Sequence, residues 1–282
     1  MIKTVVIIGS GTMGSGIAQV SANAGYKTIL FDINESALLK AENGIDKNLS
    51  VAVEKGKLSQ ADFQRTKENL TFTSDFNHLK GDLIIEAIIE KPEPKIELFN
   101  KLSELNGPDC IYATNTSSIP ITQISAACKY PEQIIGIHFF NPAHLMKLVE
   151  IIQGAHTKIE LIEICKSWVL SLQKVPVLAA DAPGFIVNRV ARHYYVEALK
   201  LLEEGVADLE TIDKILESSG FKMGPFRLMD LIGVDTNFSV TSSMYKLFHY
   251  DSKFRPSRIQ EQKVLAGHHG KKTGKGFYDY TL

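Results

Sequence analysis

Several things are scarce in this 282-residue sequence. Its three cysteines, Cys110, Cys128 and Cys165, show no CxxC spacing. An odd, scattered set excludes a disulfide framework and zinc-type patterns, so no metal is expected and the thiols point to a reducing compartment. A charge surplus is also missing: 31 basic against 32 acidic residues leave a net charge of −1. Nothing in that balance draws the chain to nucleic acid or to an anionic membrane. No apolar run approaches the ~18 residues of a membrane span. The N-terminus has no basic start, long apolar region or small-residue cleavage site, so no signal peptide is expected and the expected location is cytoplasmic. Repeats and low-complexity segments are absent, and there is one tryptophan, Trp168.

The chain does have enough apolar residues (44%) to build a full core in one large or two ordinary domains. Lys3 to Ile8 is a short β-branched run, which predicts a strand buried on both faces. It feeds Gly9-Ser10-Gly11-Thr12-Met13-Gly14 and an apolar-periodic helix that Gly25 ends. Tyr26 to Phe31 reads as a second strand, closing on Asp32. Strand, GxGxxG, helix, strand, acid is the order of a dinucleotide-binding unit. In that reading Gly9 permits the tight turn, Gly11 lets the backbone approach a pyrophosphate, and Gly14 lets helix and strand pack closely. The pyrophosphate would sit on the helix N-terminus, where free N–H groups favour an anion. Asp32 would accept hydrogen bonds from the adenosine ribose and repel a 2′-phosphate, which favours NAD over NADP.

Residues 35–69 are polar and helix-prone, interrupted at Gly56-Lys57-Leu58-Ser59, and read as an inserted helical hairpin. By themselves its Lys47, Lys55 and Lys57 read as a solvated face. Strands alternate with helices beyond it, implying an α/β, doubly wound, mostly parallel sheet. The run Thr114-Asn115-Thr116-Ser117-Ser118 follows a strand at the end where such sheets bind ligands. Helix capping would use the same residues. The stretch Ile135 to Ile152, IGIHFFNPAHLMKLVEII, is apolar except for a few polar groups. A lone buried carboxylate costs roughly several kcal/mol, so the economical arrangement pairs Glu150 with His138 across a turn at Asn141-Pro142. A histidine held this way can act as a general base.

The patterning changes at Asp181-Ala182-Pro183-Gly184. Beyond it there are no strand-like runs, only helical periodicity, with Pro183 expected at a first helical position and Asp181 or Ala182 near its cap. The expected domains are therefore 1–182, an α/β sheet with a helical hairpin insertion, and 183–282, a smaller all-α domain. A helical core of about 100 residues is small and needs another surface to cover its apolar faces.

With GSGTMGSGIAQ, EAIIE, NTSS, HFFNPAHLMKLVEII, DAPGFIVNR, MGPF and KKTGKGFYDY in order, the chain resembles the 3-hydroxyacyl-CoA dehydrogenase family over its whole length. The resemblance is nearest to the short-chain bacterial 3-hydroxybutyryl-CoA dehydrogenases. It implies an NAD-binding Rossmann domain and a C-terminal helical domain that binds substrate and forms a homodimer. The implied reaction is NAD-dependent oxidation of an (S)-3-hydroxyacyl-CoA to the 3-oxoacyl-CoA, and its reverse. The resemblance makes His138 the base and Glu150 its partner, and places Ser117 and Asn188 at the substrate. It assigns the cofactor to Gly9, Gly11, Thr12, Met13, Gly14, Asp32, Glu90, Lys95, Asn115, Ser117, Asn141 and Lys272. Asn48 and Lys55 on the hairpin become CoA contacts. The family pattern is departed from at Lys91-Pro92-Glu93-Pro94, where two prolines replace helix-prone residues. An alternative on the same fold is a dehydrogenase of a free hydroxy acid.

Overall fold

A computed structural model describes residues 2–281, so the outermost residues of the two expected domains, Met1 and Leu282, lie outside it. Its contacts divide into two compact units, Met1–Ala182 and Pro183–Leu282. The first unit runs β1 (Thr4–Ile8), α1 (Thr12–Asn23), β2 (Lys27–Phe31), α2 (Glu35–Glu54), α3 (Gln60–Glu68), β3 (Leu70–Thr73), β4 (Leu83–Glu86), α4 (Pro92–Asn106), β5 (Ile111–Thr114), α5 (Ile121–Ser125), β6 (Ile134–Phe139), β7 (Leu148–Gln153), α6 (Glu160–Ser171) and β8 (Val175–Ala180). Eight strands form one sheet in the order β3-β2-β1-β4-β5-β6-β7-β8. All neighbours are parallel except β6 and β7. The order reverses beside β1, whose neighbours are β2 and β4, and open sheets bind ligands at such a switch point.

The sheet strands next to the switch are Val, Ile and Leu runs with both faces covered, and Val5, Val6, Ile7, Leu83, Ile84 and Ile85 are fully buried. The hairpin forms because its ends are capped. Asn34 accepts from the Ser36 and Ala37 N–H groups at the start of α2, and Ser59 accepts from the Asp62 N–H at the start of α3. The two prolines after Lys91 do not disturb the chain. Pro92 opens α4 and Pro94 lies in its first turn, where a missing N–H leaves no helical bond unmade.

The second unit contains α7 (Val187–Glu203), α8 (Leu209–Ser218), α9 (Pro225–Ile232), α10 (Val234–Leu247) and α11 (Arg258–Leu265). Two buried aspartates tie it together. Asp213 accepts from the Phe226 and Arg227 N–H groups and the Tyr278 hydroxyl. Asp230 accepts from the Phe277 and Tyr278 N–H groups and the Tyr280 hydroxyl. The aromatic tail is thus pinned to the helices by carboxylates.

One expectation is corrected. No helix begins at Pro183: Gly184 and Phe185 have positive φ, 70° and 46°, outside helical geometry, and α7 starts at Val187. Asp181 caps a distant helix instead. Its carboxylate accepts from the Ile121 N–H at 2.7 Å and the Thr122 N–H at 2.8 Å, at the start of α5. Among the described residues no helix is long and apolar enough to cross a membrane.

Candidate active site

The glycine loop follows from steric necessity. A Cβ at Gly14 would lie 1.7 Å from the Gly9 carbonyl oxygen, and one at Gly9, where φ is +98°, would lie 2.7 Å from the Ala87 carbonyl oxygen. At Gly11 an added Cβ would meet nothing within 4 Å, so that position is open for a ligand to approach the backbone. Thr12 and Met13 open α1. Its N-cap brings no side-chain hydrogen bond and its first turn holds no acid, so the helix terminus is left for an anion. The open cradle and this uncapped terminus fit a pyrophosphate.

Asp32 stands just beyond β2. It accepts from the Ser10 N–H at 2.8 Å, the Ser10 hydroxyl at 2.9 Å and the Asn34 N–H at 3.0 Å. Partial burial opposes its charge, but these donors outweigh burial and hold the carboxyl below its usual range. It is therefore an anion at the C-terminal end of β2. Ser10, which the sequence reading passed over, is what fixes it.

A buried ionic cluster lies at the ends of β4 and β5. The Lys95 ammonium, 1% exposed, lies 2.6 Å from Glu86 and 3.3 Å from Glu90. Glu86 also accepts from the Thr114 hydroxyl and the Ile88 N–H. Full burial pushes the Glu86 carboxyl up, while Lys95, Thr114 and the Ile88 N–H work against that. Glu90 accepts from the Thr116 hydroxyl at 2.7 Å, the Ser117 N–H at 2.9 Å, and the Ser117 and Ser118 hydroxyls at 3.2 Å. Burial opposes its charge too, but Lys95 and these donors hold it below the usual range. Glu86 was not singled out from the sequence as a site residue, and Thr114 and Thr116 only as members of the polar run 114–118. The signal for Glu86 is a carboxylate ending an apolar strand nine residues before a lysine.

Asn115 stitches the edge together. Its N–H donates to the Glu86 carbonyl at 2.8 Å, and its side-chain oxygen accepts from the Phe139 N–H at 2.8 Å. Glu86 ends a strand whose neighbour β1 leads into the glycine loop, so hydrogen bonds run along the carboxyl edge from the loop to β6.

His138 and Glu150 are directly opposite each other in the antiparallel β6–β7 pair, which puts both side chains on one face. Nδ1 of His138 lies 2.8 Å from Oε2 of Glu150, with the side chains 7% and 1% exposed. A carboxylate there takes a donor, which assigns the hydrogen to Nδ1. The Phe140 ring lies 4.5 Å from the imidazole, centroid to centroid. Asn141 is exposed and opens the loop joining the two strands.

Asn48 and Lys55 are placed apart from this edge. They line a separate cleft of about 370 Å³ between the hairpin, α1 and the loop at His144. Asn48 donates to Gln19 at 3.2 Å, and Lys47 and Lys57 line the same cleft. Asn188 and Lys272 belong to the second unit. Asn188 is the second residue of α7, and Lys272 pairs with Asp235 at 2.7 Å.

A dinucleotide-binding Rossmann-type unit with a buried histidine–carboxylate pair at its carboxyl edge, followed by a helical unit, defines a class of nucleotide-dependent dehydrogenases. Residues 4–182 match the model of the 3-hydroxyacyl-CoA dehydrogenase NAD binding domain, and residues 184–280 match the C-terminal domain of the same family. The chain belongs to the 3-hydroxyacyl-CoA dehydrogenase family. It is 47% identical to the 3-hydroxyadipyl-CoA dehydrogenase of Escherichia coli K12 over 99% of its own length and 59% of that relative's, so it spans about three-fifths of that longer protein. It is 38% identical to a probable 3-hydroxybutyryl-CoA dehydrogenase of Bacillus subtilis, covering 99% of this chain and 98% of the relative. The crystal structure of an (S)-3-hydroxybutyryl-CoA dehydrogenase from Ralstonia eutropha matches with a TM-score of 0.95 at 36% identity, over 100% of both chains.

Proposed function

We propose that this protein oxidises short-chain (S)-3-hydroxyacyl-CoA esters to 3-oxoacyl-CoA with NAD, and catalyses the reverse reduction. The observation that carries this reading is the His138–Glu150 pair at 2.8 Å, on the sheet edge to which the glycine loop also belongs. When bound at Gly9, Gly11, Thr12, Met13, Gly14 and Asp32, NAD supplies the two-electron acceptor. The chain's own residues handle the proton and the positioning. His138 takes the C3 hydroxyl proton at Nε2. Glu150 stabilises the imidazolium that forms, a gain that grows with the developing charge. Ser117 and Asn188 orient the hydroxyl and the thioester carbonyl, which sets the reacting geometry. Glu90, Lys95, Asn115 and Asn141 shape the rest of the cofactor pocket, and Lys272 is assigned to its margin. Lys55 and Asn48 receive the CoA phosphates, a role favoured by three hairpin lysines in one cleft.

Dimerisation through residues 183–282 belongs to the same proposal. It is supported by Val190, Ile215, Phe221 and Leu265, which are 51–81% exposed in the helical unit.

The test is reduction of acetoacetyl-CoA followed at the NADH absorbance band, with NADPH and free acetoacetate run in parallel. Turnover of the thioester with NADH, and far less with NADPH or the free acid, is expected. Tight NAD binding without turnover of any 3-oxoacyl-CoA would overturn the reading.

A further inference from the structure

One histidine of the first unit has no task in the reading above. His144 lies in the loop between β6 and β7 and lines the cleft of about 370 Å³ that also takes Lys47, Lys55 and Lys57 from the hairpin. That cleft gathers three ammonium groups and no acid, and α1 contributes no charged side chain to it. Asp46 and Glu54, which precede Lys47 and Lys55 in sequence, do not line it, and Asp46 is taken by Lys67 at 2.6 Å. Among the described residues, none of the three lysines has a carboxylate within the 4.0 Å of an ion pair.

A fourth ammonium lies against the same loop. Lys174, 6% exposed, donates to the Ala143 and Met146 carbonyls, each at 2.6 Å. These bonds hold the loop on both sides of His144. No carboxylate among the described residues pairs with Lys174 either. Partial burial, and after it the Lys174 charge, push the His144 imidazole below its ordinary value. Neighbouring positive charges disfavour a further proton, and an anion arriving among them reverses that preference. Imidazole titrates naturally between pH 5 and 8, so a modest change in its surroundings alters its charge near neutrality.

We propose that His144 is a titrating contact for a CoA phosphate: neutral in the unliganded protein, it takes up a proton as the phosphate enters the cleft, so CoA is held more tightly as pH falls. This rests on the reading above, which brings the CoA phosphates to Lys55 and Asn48. At low pH His144 is charged with and without the ligand, and at high pH it is neutral in both states. Its effect is confined to the interval between. Across that interval, each pKa unit by which the phosphate raises the imidazole weakens binding about tenfold as pH rises.

The experiment measures binding of CoA to the full chain by titration calorimetry, from about pH 5.5 to 8.5, in pairs of buffers with different ionisation enthalpies. It uses the wild type, H144Q and H144R. Over this range the wild type loses about 3- to 10-fold more affinity than H144Q, the size of half to one pKa unit, and takes up a fraction of a proton more per CoA. H144R, whose charge is fixed, keeps at high pH the affinity that the wild type has at low pH. The second ionisation of a phosphate monoester, at about 6, acts alike in all three proteins, so the differences between them carry the result. Dephospho-CoA separates the two sources of phosphate: a difference lost with it assigns the 3′-phosphate, a difference kept assigns the pyrophosphate, and each supports the proposal. CoA bound with the same pH dependence by the wild type and H144Q overturns the inference and leaves the dehydrogenase reading standing. Absence of CoA binding by the wild type at every pH defeats that reading and the inference with it. If H144Q fails to fold, the comparison with H144R and the proton uptake of the wild type still decide.

Discussion

Two pairings of base and carboxylate lie on the same sheet edge and differ in kind. Lys95 sits between Glu86 and Glu90, 1% exposed, with hydroxyls and N–H groups completing both acids. Those contacts tie β4, β5 and α4 to one another. His138 has one acid, Glu150, and imidazole is the side chain that general acid–base catalysis uses most often. The contrast teaches that burial and pairing alone do not mark a catalytic group: the side chain must also be one suited to proton transfer.

The largest expected effect comes from removing the imidazole. Replacing His138 with Gln is expected to lower kcat on acetoacetyl-CoA by about 10²–10⁴-fold, the usual contribution of a general base, with the fold unchanged by circular dichroism. A loss under about tenfold would assign the proton to another group. Breaking the fixed cluster should act on stability instead. Lys95→Met leaves Glu86 buried and unpaired, a loss of about 3–5 kcal/mol, read from the denaturant midpoint. A midpoint near the wild-type value would mean that Glu86 finds its counter-charge elsewhere.

The smallest effect sharpens the comparison with a third acid. Asp32 is held below its ordinary value in the folded protein despite its partial burial. Its contribution to stability is therefore complete above the ordinary carboxylate value, about 3.9, and is lost as pH falls toward the folded value. In Asp32→Asn that dependence disappears, so the stability gap between the two proteins should narrow below about pH 4. A gap constant across the acid range would mean that the Ser10 and Asn34 contacts do not favour the ionised form.

How much of this was readable in advance depends on distance along the chain. The first strand, glycine loop, helix, second strand and Asp32 lie within about 30 consecutive residues, and each glycine answers a local steric demand. The pairing of His138 with Glu150 followed from the cost of hiding either alone, and the antiparallel register then puts them opposite. The contacts of Asp181 with Ile121 and Thr122 span about 60 residues, and no pattern near Asp181 distinguishes a cap for its own helix from a cap for another. The delayed start of α7 was hidden likewise, since positive φ at Phe185 is unusual for a residue with a side chain. The ion pairs of Lys95 with Glu86 and Glu90 emerge only when β4 and α4 are folded together.

The lone tryptophan has an experimental consequence. Trp168 is 2% exposed on α6, edge-on to Tyr26 and Phe139, all within residues 2–182. Intrinsic indole emission therefore watches the sheet-bearing half of the molecule and is blind to the other half. If the helical half melted on its own, ellipticity at 222 nm would fall while the fluorescence held steady, so two optical channels recorded on one unmodified sample can tell stepwise from concerted unfolding.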